Sequence, residues 1–329
     1  MRIVHAPTQI AGQMTALVNG LRERGHIVNG YNWFHSYLKY DGEIANTDAY
    51  EMINMIEPLV RYAEMIHFHN GNSFAIHNAD LPYIKETGIR MLMHHWGNDV
   101  RTSAGSRAVN KYNIPPSYLS DESIHNRLML LSSHIKHAIV QDYELYPYVS
   151  DYYEHVHVLP LACQADKIPY TPYSNKPVPI IVHAPTNKEF KGSLYVEKAI
   201  KDLTGKHRFR YKEVEKMNHQ EAMRIYAEAD IIIDQLLSGT YGMLSVEAMA
   251  MGKVVIAYIR DDLVSKFPKD LPIVIANPDN IHSVISDLLL APELRRQIGI
   301  ASRAFVQKHH DIKAVIPKLL AIYNQIEGD

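Results

Sequence analysis

The hexapeptide Ile-Val-His-Ala-Pro-Thr occurs twice, at residues 3–8 and 181–186. Each copy reads as a short apolar strand running into a proline-bearing loop that leads to a helix. A repeat near the start of each half is what two successive doubly wound α/β domains produce, and 329 residues exceed what one core usually serves. The intervening sequence agrees. Strands are expected at 2–6, 65–68, 90–94, 138–141 and 156–159, alternating with amphipathic helices at 13–24, 49–63, 75–86 and 122–134. A stretch with three prolines, 161–177, reads as a linker. The alternation then resumes with strands at 178–183, 208–214, 231–233, 254–257 and 273–275, and helices at 194–202, 220–229, 281–290, 292–306 and 312–326. Such a pattern calls for parallel sheets covered on both faces.

Charge and composition exclude several classes. A net charge of −2 leaves no electrostatic footprint for nucleic acid. The densest basic run, 206–212, alternates charge with aromatics and reads as one solvated strand face. The single cysteine, Cys163, excludes an intramolecular disulfide framework. The chain opens on a strand rather than on a signal peptide, and no apolar run is long enough to span a bilayer. A soluble, cytoplasmic protein is therefore expected, with peripheral membrane contact left open.

The chemistry concentrates in 234–257, DQLLSGTYGMLSVEAMAMGKVVIA. A buried strand enters a turn with Gly239 and Gly242, a helix carrying Glu247 follows, and a second apolar strand closes the unit. Strand, glycine turn and helix present free N–H groups and a helix dipole to phosphate, and a carboxylate inside the helix suits ribose hydroxyls. The segment therefore reads as a cradle for a nucleotide diphosphate. Three other loops follow strands: Gly12-Gln13; 185–192, PTNKEFKG; and 94–101, HHWGNDVR. The lone glycine of the first lets a ligand approach the backbone, but the chain has no GxGxxG.

The run GTYGMLSVEAMAMGKVVIA resembles the donor-binding signature of retaining glycosyltransferases of family 4, which have the GT-B fold. The resemblance implies an α/β chain of two Rossmann-like domains facing a central cleft: an acceptor domain at 1–160, a linker at 161–177, a nucleotide-sugar domain at 178–308, and a C-terminal helix at 309–329 crossing back to the first domain. It implies that Glu247 holds the donor ribose, while Gly239 stands where the family has a second glutamate. Donor contacts then fall on Gly12, Gln13, Thr186, Lys188, Lys191, Gly239, Thr240, Tyr241, Gly242, Met243 and Leu244, with Lys191 neutralising the leaving diphosphate. Thr186 stands where the family has an arginine, with Lys188 the nearest substitute. In 94–101 the resemblance places His95 against the sugar, with Trp96, Asp99 and Arg101 as acceptor or loop-ordering groups.

The activity so implied is metal-independent, retaining transfer of a sugar, of hexosyl type, from a nucleotide-diphosphate-sugar to a hydroxyl acceptor in carbohydrate biosynthesis, with no cofactor. The pairs His67/His69 and His155/His157 each share a strand face, yet a metal needs further ligands that spacing does not provide, and no Asp-x-Asp occurs, so no metal is expected. The 21 tyrosines gather in 31–40 and 143–153, where packing and sugar stacking are both open. Two rival readings also stay open: a GT-B-fold epimerase or phosphorylase, and a non-catalytic nucleotide-sugar-binding homologue.

Overall fold

The computed structural model describes residues 1–40, 42–172 and 176–327. The first half runs β1 (Arg2–Ala6), α1 (Gln13–Glu23), β2 (Ile27–Asn32), β3 (Ala45–Asn46), α2 (Ala49–Tyr62), β4 (Met65–His69), α3 (Leu81–Glu86), β5 (Arg90–His95), α4 (Ser103–Val109), α5 (Asp121–Ser132), β6 (His137–Val140), α6 (Tyr146–Val149) and β7 (His155–Val158). The second runs β8 (Ile180–His183), α7 (Lys188–Lys191), α8 (Ser193–Leu203), β9 (Arg210–Glu213), α9 (His219–Glu228), β10 (Ile231–Ile233), α10 (Met243–Ala250), β11 (Val254–Ala257), α11 (Asp261–Val264), β12 (Val274–Ile275), α12 (Ile281–Leu290), α13 (Pro292–His309) and α14 (Ile312–Glu327). The strands form a seven-stranded sheet, β3-β2-β1-β4-β5-β6-β7, and a five-stranded sheet, β12-β11-β10-β8-β9. Every strand pairing in both sheets is parallel.

The central strands are buried on both faces, which is why β10 and β11 are unbroken runs of Ile, Val and Ala. Each half has apolar layers on both sides of its sheet, and α14 completes one layer of the first. Val315, Ile316, Leu319 and Tyr323 of α14 pack with Ile3, Met14, Leu17 and Leu21. Polar contacts also join the halves: Thr240 Oγ1 donates to Asp142 (2.6 Å), and Asn110 Nδ2 donates to the Leu237 carbonyl (2.6 Å).

Sequence periodicity does not reveal β2, β3 or α4. β2 is Ile-Val-Asn-Gly-Tyr-Asn, with alternating burial and glycine in mid-strand, so it lacks the apolar run that marks its neighbours. The helix expected at 75–86 is broken. His77 and Asn78 take positive φ of 60° and 61°, leaving a 3₁₀ turn at Ile76–Asn78 before α3.

Candidate functional site

A cleft of about 810 Å³ opens between the two sheets. Its lining comes from loops that follow strands: Ala11 and Gln13 after β1, Asn70 after β4, Trp96, Asn98 and Arg101 after β5, and Gln141 after β6. The facing wall brings Thr186, Asn187, Phe190 and Lys191 after β8, and Gln235, Thr240, Gly242 and Met243 after β10. All sit beyond the carboxyl ends of parallel strands, where open α/β sheets bind ligands.

The second wall carries the charge. Helix α10 starts at Met243, and its N-cap, Gly242, makes no side-chain cap. The first N–H groups of any helix lack an intrahelical acceptor, so this end favours an anion. The nearest anion is internal. Asp234, fully buried at the end of β10, accepts from Gly242 N (3.1 Å), Ser245 Oγ (2.6 Å) and Lys191 Nζ. Burial pushes its carboxyl upward, but the Lys191 ammonium and these hydrogen bonds outweigh that and hold it below the ordinary value. Lys191 also donates to Gln235 Oε1 (3.0 Å), and its side chain is only 12% exposed. Two of its three N–H groups are thus engaged, and the third is left for the cleft.

Glu247 lies deeper. His219 Nε2 donates to its carboxylate (2.6 Å), and Tyr40 packs on the His219 ring with centroids 4.3 Å apart. His219 N donates to the Leu38 carbonyl (2.8 Å), so a loop of the first half lies over Glu247. Gly12 takes φ 72° beside the same Tyr40 ring, which a Cβ would meet at 2.9 Å. Of the other expected donor contacts, Gln13, Thr186, Lys191, Thr240, Gly242 and Met243 line the cleft. Gln13 is also a brace, its amide bonded to the backbone N and O of Ala162.

Several expected positions need correction. His95 does not face the cleft. It is fully buried, with Nδ1 2.7 Å from Asp99 and Nε2 2.9 Å from the Tyr153 hydroxyl. Adjacent strand residues point to opposite faces, and β5 carries both histidines inward. Asp99 orders the loop, accepting the N–H groups of Trp96 and Gly97. Lys188 is drawn away by Glu213 and Glu215. Tyr241 is buried with its hydroxyl 3.0 Å from His310 Nε2, and Leu244 packs into the core of the second half. Gly239 takes φ 84°, and a Cβ there would come within 2.9 Å of Arg260 Cβ, so the backbone that replaces the family's glutamate has no room for a side chain.

Arg101 and Trp96 do reach the cleft. Arg101 makes a two-pronged pair with Glu144 (2.9 and 2.6 Å), and its guanidinium lies 5.5 Å from the Phe190 ring across the cleft. Burial pulls its pKa down, but Glu144 outweighs this and raises it, keeping the charge. Sequence reasoning missed Asp234, Glu144 and His219. The first left a signal, an acidic residue directly after a wholly apolar strand; the others left none.

Residues 186–321 match the sequence family described as "Glycosyl transferase-like". No curated protein sequence matches the chain. Among solved structures, sucrose-phosphate synthase from Thermosynechococcus elongatus is 15% identical, with all of both chains covered and a TM-score of 0.63. A glycosyltransferase from Rickettsia africae ESF-5 is 16% identical, covering 99% of this chain and 98% of the other, at TM-score 0.66. Anabaena HepE, solved in complex with UDP and glucose, is 10% identical, covering 98% and 99%, at TM-score 0.65. The fold is therefore GT-B, with two Rossmann-like sheets, and the second half is glycosyl transferase-like in sequence.

Proposed function

We propose that this chain is a retaining, metal-independent glycosyltransferase that moves a sugar from a nucleotide-diphosphate-sugar to a hydroxyl acceptor. The observation that carries the reading is the uncapped start of α10 beside Lys191, both opening into the cleft opposite Trp96 and Arg101. The donor diphosphate sits against the N–H groups of Met243 and Leu244 and the free N–H of Lys191, where negative charge grows as the glycosidic bond breaks. The acceptor hydroxyl attacks the sugar from the same face, and the departing phosphate takes its proton. Glu247 binds the ribose once His219 and Tyr40 swing away, and Trp96 supplies a flat apolar surface for the sugar. HepE was solved with UDP, which makes a uridine nucleotide the first to test.

A second reading has its own observation. Asp234 already takes an N–H, a hydroxyl and the ammonium at the anion seat, as a non-catalytic homologue would arrange. Calorimetry with UDP-, GDP-, ADP- and dTDP-sugars, with and without EDTA, decides between them. Saturable, EDTA-insensitive binding of one nucleotide is expected, weakened about tenfold or more by Lys191→Ala and by Glu247→Ala in folded protein. Absence of binding across the panel sinks the transferase reading. Product formed without any acceptor would instead identify an epimerase.

A further inference from the structure

Four histidines line up on one face of the first sheet. His67 and His69 are two apart on β4, His5 of β1 is in register with His67, and His94 of β5 is in register with His69. All four are buried. His67 stacks on His69 with ring centroids 4.5 Å apart, and His5 lies tilted against His67 at 4.4 Å. Tyr323 of α14 closes the group from above, its hydroxyl 2.7 Å from His67 Nδ1 and 3.2 Å from His5 Nε2.

As an apolar core this arrangement is hard to account for. His69 Nε2 meets His5 Nδ1 (3.0 Å), and His67 Nε2 meets His94 Nδ1 (3.2 Å), so the five side chains form one chain with four links. Each neutral imidazole carries one proton and the tyrosine carries one, which makes five protons for four links. One N–H at an end of the chain therefore has no acceptor. The end atoms, His69 Nδ1 and His94 Nε2, are indeed buried without a partner. Native cores leave few such atoms, and each calls for a reason.

We propose that His5, His67 and His69 form a binding site for one divalent transition-metal ion of the zinc class, separate from the cleft. One nitrogen from each lies within 4.8 Å of the others. Zinc–nitrogen bonds of about 2.0–2.1 Å bring such atoms to roughly 3.4 Å, a contraction within reach of ring rotation. Imidazole suits zinc, copper and nickel, and three histidines with a fourth position left to water is an attested set. Tyr323, touching both His5 and His67, supplies the outer hydrogen bonds that orient metal-bound imidazoles. The expectation of no metal rested on the missing third ligand for the His67/His69 pair; β1 brings it in register. The ion joins β1 and β4 directly beneath α14, the helix that links the halves.

The test uses the full chain, stripped with a chelator and titrated with Zn²⁺ and, separately, Co²⁺. Uptake of one equivalent of Zn²⁺, tighter than about 1 μM, is expected, with a rise in melting temperature. Co²⁺ should give the visible absorption of a four-coordinate nitrogen site. His5→Gln and His69→Gln should each weaken Zn²⁺ by roughly a hundredfold, while His157→Gln, in a separate cluster on β7, leaves it unchanged. Because a variant buried in the core risks misfolding, the wild-type arm stands alone: no saturable one-equivalent uptake overturns the proposal. So does uptake that survives both substitutions.

Discussion

Asp234 shows how much of a site hangs on one carboxylate. It is fully buried, is bonded to Lys191, and fixes the turn into α10 through Gly242 and Ser245. Breaking a buried pair from one side leaves the other charge stranded, so Asp234→Asn should destabilise by roughly 3 kcal/mol near neutral pH. The sign of its pH dependence follows from its lowered folded pKa. The contribution is complete above the unfolded carboxyl value of about 3.9 and is lost as pH falls through the lower folded value. Urea midpoints of wild type and variant should therefore differ most near neutrality and converge as pH falls below the ordinary carboxyl range; an equal gap throughout would refute the assignment. At this scale the sequence exposed the ends of interactions but not their partners. Lys191 and Glu247 could be singled out from their loops, whereas Asp234, His219 and Glu144 act only because folding brings them across 43, 28 and 43 positions.

Elements were more legible, because strands and helices follow from periods of two and 3.6 residues within short windows. The central strands and long helices fall where the apolar pattern puts them. What the pattern omits is which face turns inward: β5 alternates His94 and His95, and both proved to be buried. Helix pairing is similarly a matter of fit. Gly20 on α1 lies so close to α14 that a Cβ would come within 2.5 Å of Ile316 Cγ1. Gly20→Ala, otherwise favourable in a helix, should cost about 1–3 kcal/mol through overpacking. Adding Ile316→Ala opens that contact, so the double variant should be more stable than the sum of the singles predicts, with coupling of about 0.5–3 kcal/mol. Strict additivity in denaturant melts would show that α1 and α14 do not meet this way.

Across the whole molecule, buried neutral histidines set the acid response. His183 bridges the Ile233 carbonyl and Ser193 Oγ beneath the second sheet. His310 bridges the Leu161 carbonyl and the Tyr241 hydroxyl. Burial, only partly offset by the backbone bonds, holds each down to about 4. Between about 6.5 and that value the unfolded chain binds the proton first, so stability is full above about pH 6.5 and falls with acid, by up to roughly 3 kcal/mol per group. Melting temperature should drop between about pH 7 and 5, and less so in His310→Gln; a flat profile would contradict this. The sequence by itself determined the doubly wound halves and the loops after β1, β5, β8 and β10, since these follow from local periodicity and glycine and proline placement. Only the tertiary structure decided which side chains meet: His95 with Asp99 and Tyr153, Asp234 with Lys191, Glu247 under His219 and Tyr40, and three histidines from two strands under Tyr323. Strand register and the return of α14 set those distances, and neither is written in any short window of the chain.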